Sequence, residues 1–170
     1  MSNDSDFAVA GLATLADSHC HLQMAADADA LLLRARAAGV TRFLVPGPTL
    51  AASRQAADFA QGREGVLAAV GAPPPGPKAC DPFRDGPAFE ALARLPKVAA
   101  IGEIGLDFHY DHSPRAKQVE VLEWMVDCAR RLGLPVLLHN RESGVQMRAL
   151  LARLGPREGA QLRDLAEPAH

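Results

Sequence analysis

Two histidines separated by one residue, His19 and His21, are the first residues of this 170-residue chain whose types and spacing suggest chemistry. They follow a short apolar run. Because successive side chains of a strand point to opposite faces, both imidazoles are predicted to face one side while Cys20 faces another. Two imidazole nitrogens that converge on one volume are typical ligands of a divalent metal. The motif by itself also fits a pair of hydrogen-bonded loop histidines.

A glutamate and a third histidine hold equivalent places farther along the chain. Glu103 follows the apolar residues 98–102, and His139 follows the apolar residues 134–138. Each alone also fits a structural explanation, as an exposed turn carboxylate and a hydrogen-bonded core histidine. Together with the first two histidines they form a set of nitrogen and oxygen donors without cysteine, which suits Zn, Mn or Mg. Gly102 and Gly105 beside the glutamate are expected to let backbone and ligand come close.

These donors must be positioned by secondary structure that alternates between strands and helices. Strands are predicted over residues 12–17, 41–45, 65–70, 98–103 and 134–138. Helices, with their capping residues, are predicted over residues 27–39, 49–62, 87–95, 113–133 and 145–154. Asp27, Thr49 and Ser113 are the predicted N-terminal caps, and Pro87 suits a first helical turn. Residues 71–82 and 105–112 are predicted to be loops.

Five strands, each followed by a helix, predict an α/β fold with a parallel sheet and right-handed crossovers. The apolar runs lack clean alternation, which fits strands buried on both faces. No glycine-rich nucleotide-binding motif follows any strand, so the open doubly wound sheet loses its usual fingerprint, and a (β/α) barrel is the other architecture. In both, the carboxyl ends of the strands share one edge, where we expect His19, His21, Glu103 and His139 to converge.

Composition and charge argue against several classes of protein. Eighteen basic and twenty acidic side chains give a net charge of -2, so the chain cannot grip nucleic acid by charge alone. Cys20, Cys80 and Cys128 are odd in number and form no C-x-x-C motif, which suits a reducing interior. Residues 1–11 lack Lys and Arg, unlike a secretory signal, and no run of about eighteen apolar residues predicts a membrane span. We expect a cytoplasmic protein.

Four stretches resemble the TatD family of metal-dependent deoxyribonucleases. They are residues 17–21 (DSHCH), residues 101–108 (IGEIGLDF), Ser113-Pro114 followed by Gln118, and residues 134–141 (LPVLLHNR). The resemblance predicts one hydrolase domain over residues 12–155, with irregular tails at residues 1–11 and 156–170. It implies a partial TIM-type (β/α) barrel of about five parallel βα units. It also implies a site with two divalent ions, Zn, Mn or Mg, that hydrolyses phosphodiester bonds of DNA.

The resemblance also implies roles for individual residues. The four donors match the family's metal ligands, with Glu103 as the carboxylate that bridges the ions. Asp107 matches an aspartate that can orient a ligand or a water. Arg141, two residues after the ligand His139, can fork onto a phosphate oxygen, although it also fits a solvated loop arginine. The predicted catalytic residues are therefore Glu103, Asp107 and Arg141. The residues predicted to line the loop are His109, Tyr110 and His112.

The chain departs from the family pattern in two places. Residues 71–75 (GAPPP) lack the histidines usual there, and residues 155–170 contain neither the sixth-strand histidine nor the late catalytic aspartate. A complete barrel needs about 250 residues, so we expect a truncated chain or a fragment that cleaves DNA poorly by itself. Its open sheet edges are expected to promote self-association.

Two other functions stay open at this point. One is a degenerate relative without enzymatic activity, which binds a metal or a partner protein. The other is an amidohydrolase that acts on C–N bonds, which residues 103–107 disfavour because that block matches the nuclease family. Metal-dependent DNA cleavage that is lost on replacing Glu103 would separate the nuclease from the first, and an assay on cyclic amides would separate it from the second.

Overall fold

The computed structural model of the chain describes residues 15–72, 80–110 and 112–155. Within them, strands and α-helices alternate. The strands are β1 (Leu15–Asp17), β2 (Val40–Gly47), β3 (Val66–Val70), β4 (Val98–Asp107) and β5 (Val136–Arg141). The α-helices are α1 (Ala28–Ala37), α2 (Leu50–Ala60), α3 (Pro82–Ala93), α4 (Arg115–Leu132) and α5 (Gly144–Leu154). None of these described helices is both long and apolar enough to cross a membrane.

The five strands are parallel and lie in the sheet in chain order, from β1 to β5. In a flat sheet β1 and β4 would be about 14 Å apart, three times the spacing of neighbouring strands. Yet Nε2 of His19, just after β1, lies 3.6 Å from Oε2 of Glu103 on β4. The sheet is therefore curled like the wall of a barrel, which confirms the predicted partial TIM-type barrel and excludes the doubly wound sheet, whose strand order reverses.

The core lies along the three central strands and the helices that cover them. Fully buried side chains of these strands include Val45, Val66, Ala68, Val70, Ile101, Ile104 and Leu106. Burial of both strand faces explains why their sequences do not alternate. The outer strands are more exposed, since Leu15 of β1 and Val136 of β5 show 45% and 37% of their surface. Self-association through these outer strands stays a prediction.

The third helix begins earlier than predicted. Oδ1 of Asp81 accepts the backbone N–H groups of Phe83 at 2.9 Å and Arg84 at 3.1 Å, so Asp81 caps α3. Pro82 occupies the first turn, where its missing N–H costs nothing. The prediction that Pro87 starts this helix is wrong, because Pro87 lies inside it. Both prolines suit a first turn, and the aspartate before Pro82 is what distinguishes them.

Two other predicted caps differ from the structure. The N-cap residue of α4 is Pro114 rather than Ser113, and no side-chain bond caps the helix there. Asp27 stands at the N-cap of α1, but its side chain makes no capping bond. Residues 12–14 of the first predicted strand, residues 73–79 of the proline-rich loop and both predicted tails lie outside the described residues.

Thr49 is a side-chain cap that the sequence predicted and the structure contains. Its Oγ1 accepts the backbone N–H of Ala52 at 3.0 Å at the start of α2. We expect Thr49→Ala to lower the free energy of unfolding by about 1 kcal/mol, because a first-turn N–H loses its partner. Thr49→Ser keeps the hydroxyl and should unfold close to the wild type in urea. Equal losses in both variants would assign the effect to the threonine methyl group instead.

Candidate metal centre

Glu103 lies at the centre of a cluster of ionisable side chains at the carboxyl edge of the sheet. Its Oε2 is 3.6 Å from Nε2 of His19, and its Oε1 is 2.8 Å from Nδ1 of His139. Nε2 of His139 is in turn 3.3 Å from Oδ2 of Asp107. The ring of His21 stands edge-on to that of His19, with 5.2 Å between the centroids. The structure therefore brings together the four predicted ligands and Asp107.

Three members of this cluster suit a metal ion directly. His19, His21 and Glu103 each offer one ligand atom, and these atoms lie within 4.8 Å of one another. Two ligands of the same zinc ion are separated by at most about 4.2 Å, twice a bond length of about 2.1 Å. Side-chain adjustments of less than about 1 Å would therefore bring the donors to bonding distance. The donor set of two imidazoles and a carboxylate fits a divalent ion.

His139 gives a second reason to expect a cation here. Its two ring nitrogens face carboxylate oxygens, Oε1 of Glu103 and Oδ2 of Asp107. A neutral imidazole carries one N–H and can donate to one of them. The other nitrogen and its carboxylate oxygen then face each other as acceptors, which is favourable only with a proton or a metal ion between them.

A bulge in β4 positions Glu103. In the pairing with β5, Gly102 lies opposite Leu137 and Ile104 opposite Leu138, so Glu103 is an extra residue. Such a bulge turns a side chain away from the direction that regular pairing would give it. The prediction that Glu103 ends its strand is wrong, since β4 continues beyond it, and residues 105–107 belong to the strand rather than to a loop.

Two glycines bring β5 close to β4. A Cβ atom at Gly105 would lie 1.9 Å from the carbonyl oxygen of His139, and one at Gly102 would lie 2.5 Å from Cβ of Leu137. The neighbouring strand thus fills the space that the sequence suggested for a ligand. Because no side chain separates the two strands here, His139 comes within hydrogen-bonding distance of Glu103.

The first two histidines lie in a turn after β1 rather than on the strand, which ends at Asp17. Oδ1 of Asp17 accepts the backbone N–H of His19 at 3.1 Å. The N–H of Cys20 bonds the carbonyl oxygen of Leu44 at 3.1 Å, and its Sγ faces the same oxygen. The turn, not strand alternation, therefore separates Cys20 from the imidazoles. Burial, assisted by the charge of Asp17, raises the pKa of the Cys20 thiol to about 11, so this sulfur stays protonated near neutral pH.

Asp107 is buried, and a helix side chain holds its backbone. Gln118 Oε1 accepts the N–H of Asp107 at 2.9 Å, and its Nε2 donates to the carbonyl oxygens of Asp107 and Ser113 at 3.1 and 3.0 Å. Burial raises the pKa of the Asp107 carboxyl, but hydrogen bonds from the N–H of Tyr110 and the side chain of His139 outweigh it, and the pKa lies below its ordinary value. Asp107 is therefore an anion held beside His139.

Gln118 carries no predicted role, although its position in the sequence contains a signal for one. Gln118 is buried on the side of α4 that carries the core residues Val121, Leu122 and Met125. A polar residue at helical spacing with buried apolar residues needs hydrogen-bond partners inside the protein. That pattern indicates a buried polar clamp, but it does not say which strand the clamp holds.

Arg141 lies at the end of β5, opposite Asp107 in the strand register. Its guanidinium carbon stands 4.6 Å from the centroid of the Tyr110 ring, on the loop that follows β4. The prediction that His109, Tyr110 and His112 line this loop agrees with their exposed positions after the strand. The contact of Arg141 with phosphate stays a prediction.

Comparison with known proteins relates the chain to the TatD family. The family model of TatD related DNases matches residues 16–163. The chain is 32% identical over 145 residues to the Bacillus subtilis protein named uncharacterized metal-dependent hydrolase YabD, a match that covers 83% of this chain and 56% of the relative. It is 38% identical over 127 residues to the 3'-5' ssDNA/RNA exonuclease TatD of Cronobacter sakazakii, covering 74% and 47%. The chain thus spans about half the length of the curated relatives it matches.

Solved structures show the same relationship. The TatD homolog YJJV from Escherichia coli matches with a TM-score of 0.75 and 29% identity, over 82% of this chain and 56% of that one. A hydrolase TatD family protein from Entamoeba histolytica matches with a TM-score of 0.71 and 20% identity, over 83% and 54%. The second likeness bears on the fold alone.

Proposed function

Because the chain belongs to the family of TatD related DNases, we propose that its Glu103 cluster is a divalent-metal site that hydrolyses phosphodiester bonds of DNA. The observation that carries the proposal is the position of Glu103, whose two carboxylate oxygens face His19 and His139. A carboxylate that faces donors on both sides is suited to bridge two ions. In the proposal His19, His21 and Glu103 would hold one ion, and His139 and Glu103 would hold a second.

Divalent ions at this position would polarise a phosphoryl oxygen and lower the pKa of a bound water. Asp107 would orient His139 through the contact of 3.3 Å between their side chains, since a ligand imidazole is commonly fixed by a carboxylate at its other nitrogen. Gln118 would keep Asp107 in place through its bonds to the Asp107 backbone. Arg141 would donate to an oxygen of the substrate's phosphate.

The proposed substrate fits the charge of the chain. With a net charge of -2, the chain has no excess of positive charge, so in the proposal the phosphate is neutralised locally by the ions and Arg141. The name of the Cronobacter sakazakii relative includes both ssDNA and RNA, which supports nucleic acid as the substrate class. We place the reaction in the cytoplasm, which agrees with the unpaired thiols of Cys20, Cys80 and Cys128.

A cleavage assay tests the proposed activity. A 5'-labelled DNA oligonucleotide is incubated with the chain as printed, and with a chimera in which the C-terminal half of the Cronobacter sakazakii relative continues it. We expect the chimera to cleave with Mg, Mn or Zn and to stop in EDTA, while the chain alone cleaves weakly. Glu103→Ala should lower the chimera's rate by about a thousandfold or more, because cooperating groups of an active site act as a unit.

The matched control for this assay is Glu120→Ala, which removes an exposed carboxylate paired with Lys117 on α4. Its cleavage rate should equal that of the unmodified chimera. Cleavage that survives Glu103→Ala would assign the activity to the added half. Absence of cleavage in every combination, together with intact metal binding, would favour the non-enzymatic relative.

A further inference from the structure

We propose that Tyr110, with Arg141 and His112 beside it, is a stacking site for an unpaired nucleobase next to the metal centre. This inference rests on the proposed function, because it assigns part of the nucleic-acid substrate to a surface beside the same site. It concerns side chains that stand outside the donor cluster.

The loop after β4 presents an array of planar side chains. Tyr110 exposes 53% of its surface, and its ring is surrounded by three planar groups. The ring of His112 is parallel to it within 2°, with 5.4 Å between centroids. The ring of His109 meets it edge-on at 4.8 Å, and the guanidinium of Arg141 lies 4.6 Å from its centroid. Such an array offers stacking surface to a further planar group.

Hydrogen bonds fix this array to the metal centre. Oδ1 of Asp107 accepts the backbone N–H groups of both His109 and Tyr110 at 3.0 Å, while its Oδ2 faces His139. One carboxylate therefore joins the loop to the donor cluster. Nδ1 of His109 also lies 2.7 Å from Oε1 of Glu142, which ties the loop to the residue after β5. The position of Tyr110 is thus set by the same groups that build the site.

A nucleobase is the planar group that suits this place. An aromatic ring stacks with any base and needs no particular sequence, and loss of such a ring typically weakens binding about fivefold to a hundredfold. Arginine can stack on an aromatic face and also donate to phosphate, so Arg141 can contact both the base and the phosphate of the same nucleotide. The net charge of -2 leaves little general attraction for nucleic acid, and stacking supplies the missing affinity.

The inferred site distinguishes unpaired from paired nucleic acid. A base inside a duplex is already stacked on both faces and would have to give up its stacking and pairing to reach the ring of Tyr110. A single strand or a frayed end presents its bases at little cost. We therefore expect the chain to prefer single-stranded over double-stranded DNA in binding as well as in any reaction.

Fluorescence of a modified base tests the inference without any turnover. The probes are single-stranded oligonucleotides with 2-aminopurine at the 3' end, the 5' end or the centre, titrated with the chain in EDTA. Stacking should quench the fluorescence of at least one probe. Tyr110→Leu, which keeps an apolar side chain of similar exposure, should weaken binding of that probe about fivefold to a hundredfold and remove the quenching. Tyr110→Phe keeps the ring and should keep both.

An abasic sugar at the quenched position provides the second measurement. The abasic sugar should weaken binding to the wild type by the same factor as the Tyr110→Leu substitution does. It should not further weaken binding to the Tyr110→Leu variant, because the two changes remove the same contact. Since Tyr110 is exposed, Tyr110→Leu should unfold at the wild-type midpoint. Equal affinity of wild type and Tyr110→Leu for all three probes, or no quenching by the wild type, would overturn the inference.

The outcomes also separate the inference from the proposed function. Glu103→Gln should keep the quenching in EDTA and, in the chimera, lose metal-dependent cleavage. Quenching that depends on Tyr110 but comes with no Glu103-dependent cleavage would overturn the proposed function alone. Cleavage that depends on Glu103 but binding that ignores Tyr110 would overturn the stacking site alone.

Discussion

Glu103→Gln should remove the stabilisation that a divalent ion gives this protein. An ion that binds only the folded state at a hundred times its Kd raises the free energy of unfolding by about 2.7 kcal/mol. Glu103 contacts both His19 and His139, so an amide in its place removes the negative charge that both proposed ions share. At the same concentration of Mn or Zn, we expect the ion to raise the free energy of unfolding of the variant by less than about 0.5 kcal/mol. Urea unfolding with and without the ion measures it.

The control variant removes the same charge from another surface. Glu120→Gln changes an exposed carboxylate that lies 2.9 Å from Nζ of Lys117 on α4. Its metal-induced gain should equal that of the wild type. A gain in Glu103→Gln as large as in the wild type would show that the ion binds elsewhere, and the ligand assignment would then be wrong. Unfolding in EDTA separates a loss of metal binding from a loss of intrinsic stability.

The convergence of the donors could be predicted because it depends on topology. Apolar runs followed by Glu103 and His139 are visible in the sequence, and parallel strands necessarily bring their carboxyl ends to one edge. In a partial barrel the strands pair in chain order and the sheet curls, which brings the turn after β1 to β4. None of this requires knowing how two strands pair in detail.

The exact placement of Glu103 could not be predicted, because it depends on pairing between distant segments. Residues 102–107 carry two glycines and two carboxylates, a composition that indicates a turn. They form a strand because β5 pairs with them, with Glu103 as the extra residue. Register is set by the partner strand, and a local pattern does not contain it.

Contacts that a side chain makes with a different element could not be predicted from the sequence either. Gln118 was visible in a family motif, but its bonds to the backbone of Asp107 depend on how α4 packs against the end of β4. The contact of Arg141 with Tyr110 joins the end of β5 to the loop after β4. Both contacts follow from how distant elements pack against each other, and a prediction would need that packing first.

Gly105→Ala should separate β4 from β5 and move His139 away from Glu103. Gly105 pairs with His139 in the register of the two strands, and a Cβ atom there would lie 1.9 Å from the His139 carbonyl oxygen and 2.7 Å from its carbon. Backbone atoms cannot rotate away as a side chain can. We expect the free energy of unfolding to fall by about 3 kcal/mol or more, at or beyond the upper end for overpacked sites. Urea unfolding measures this loss.

The control is Gly62→Ala, where nothing lies within 4 Å of the added Cβ atom and the backbone has φ +69. This substitution costs only the strain of a left-handed residue, about 1 to 2 kcal/mol. Metal titration then distinguishes the two sites. Gly62→Ala should keep the metal-induced gain in stability, because Gly62 precedes β3 and so lies at the opposite edge of the sheet from the donor cluster, whereas Gly105→Ala should lose most of it with the displacement of His139. If Gly105→Ala costs no more than Gly62→Ala and still gains stability from the ion, the close approach of the two strands does not position the ligand.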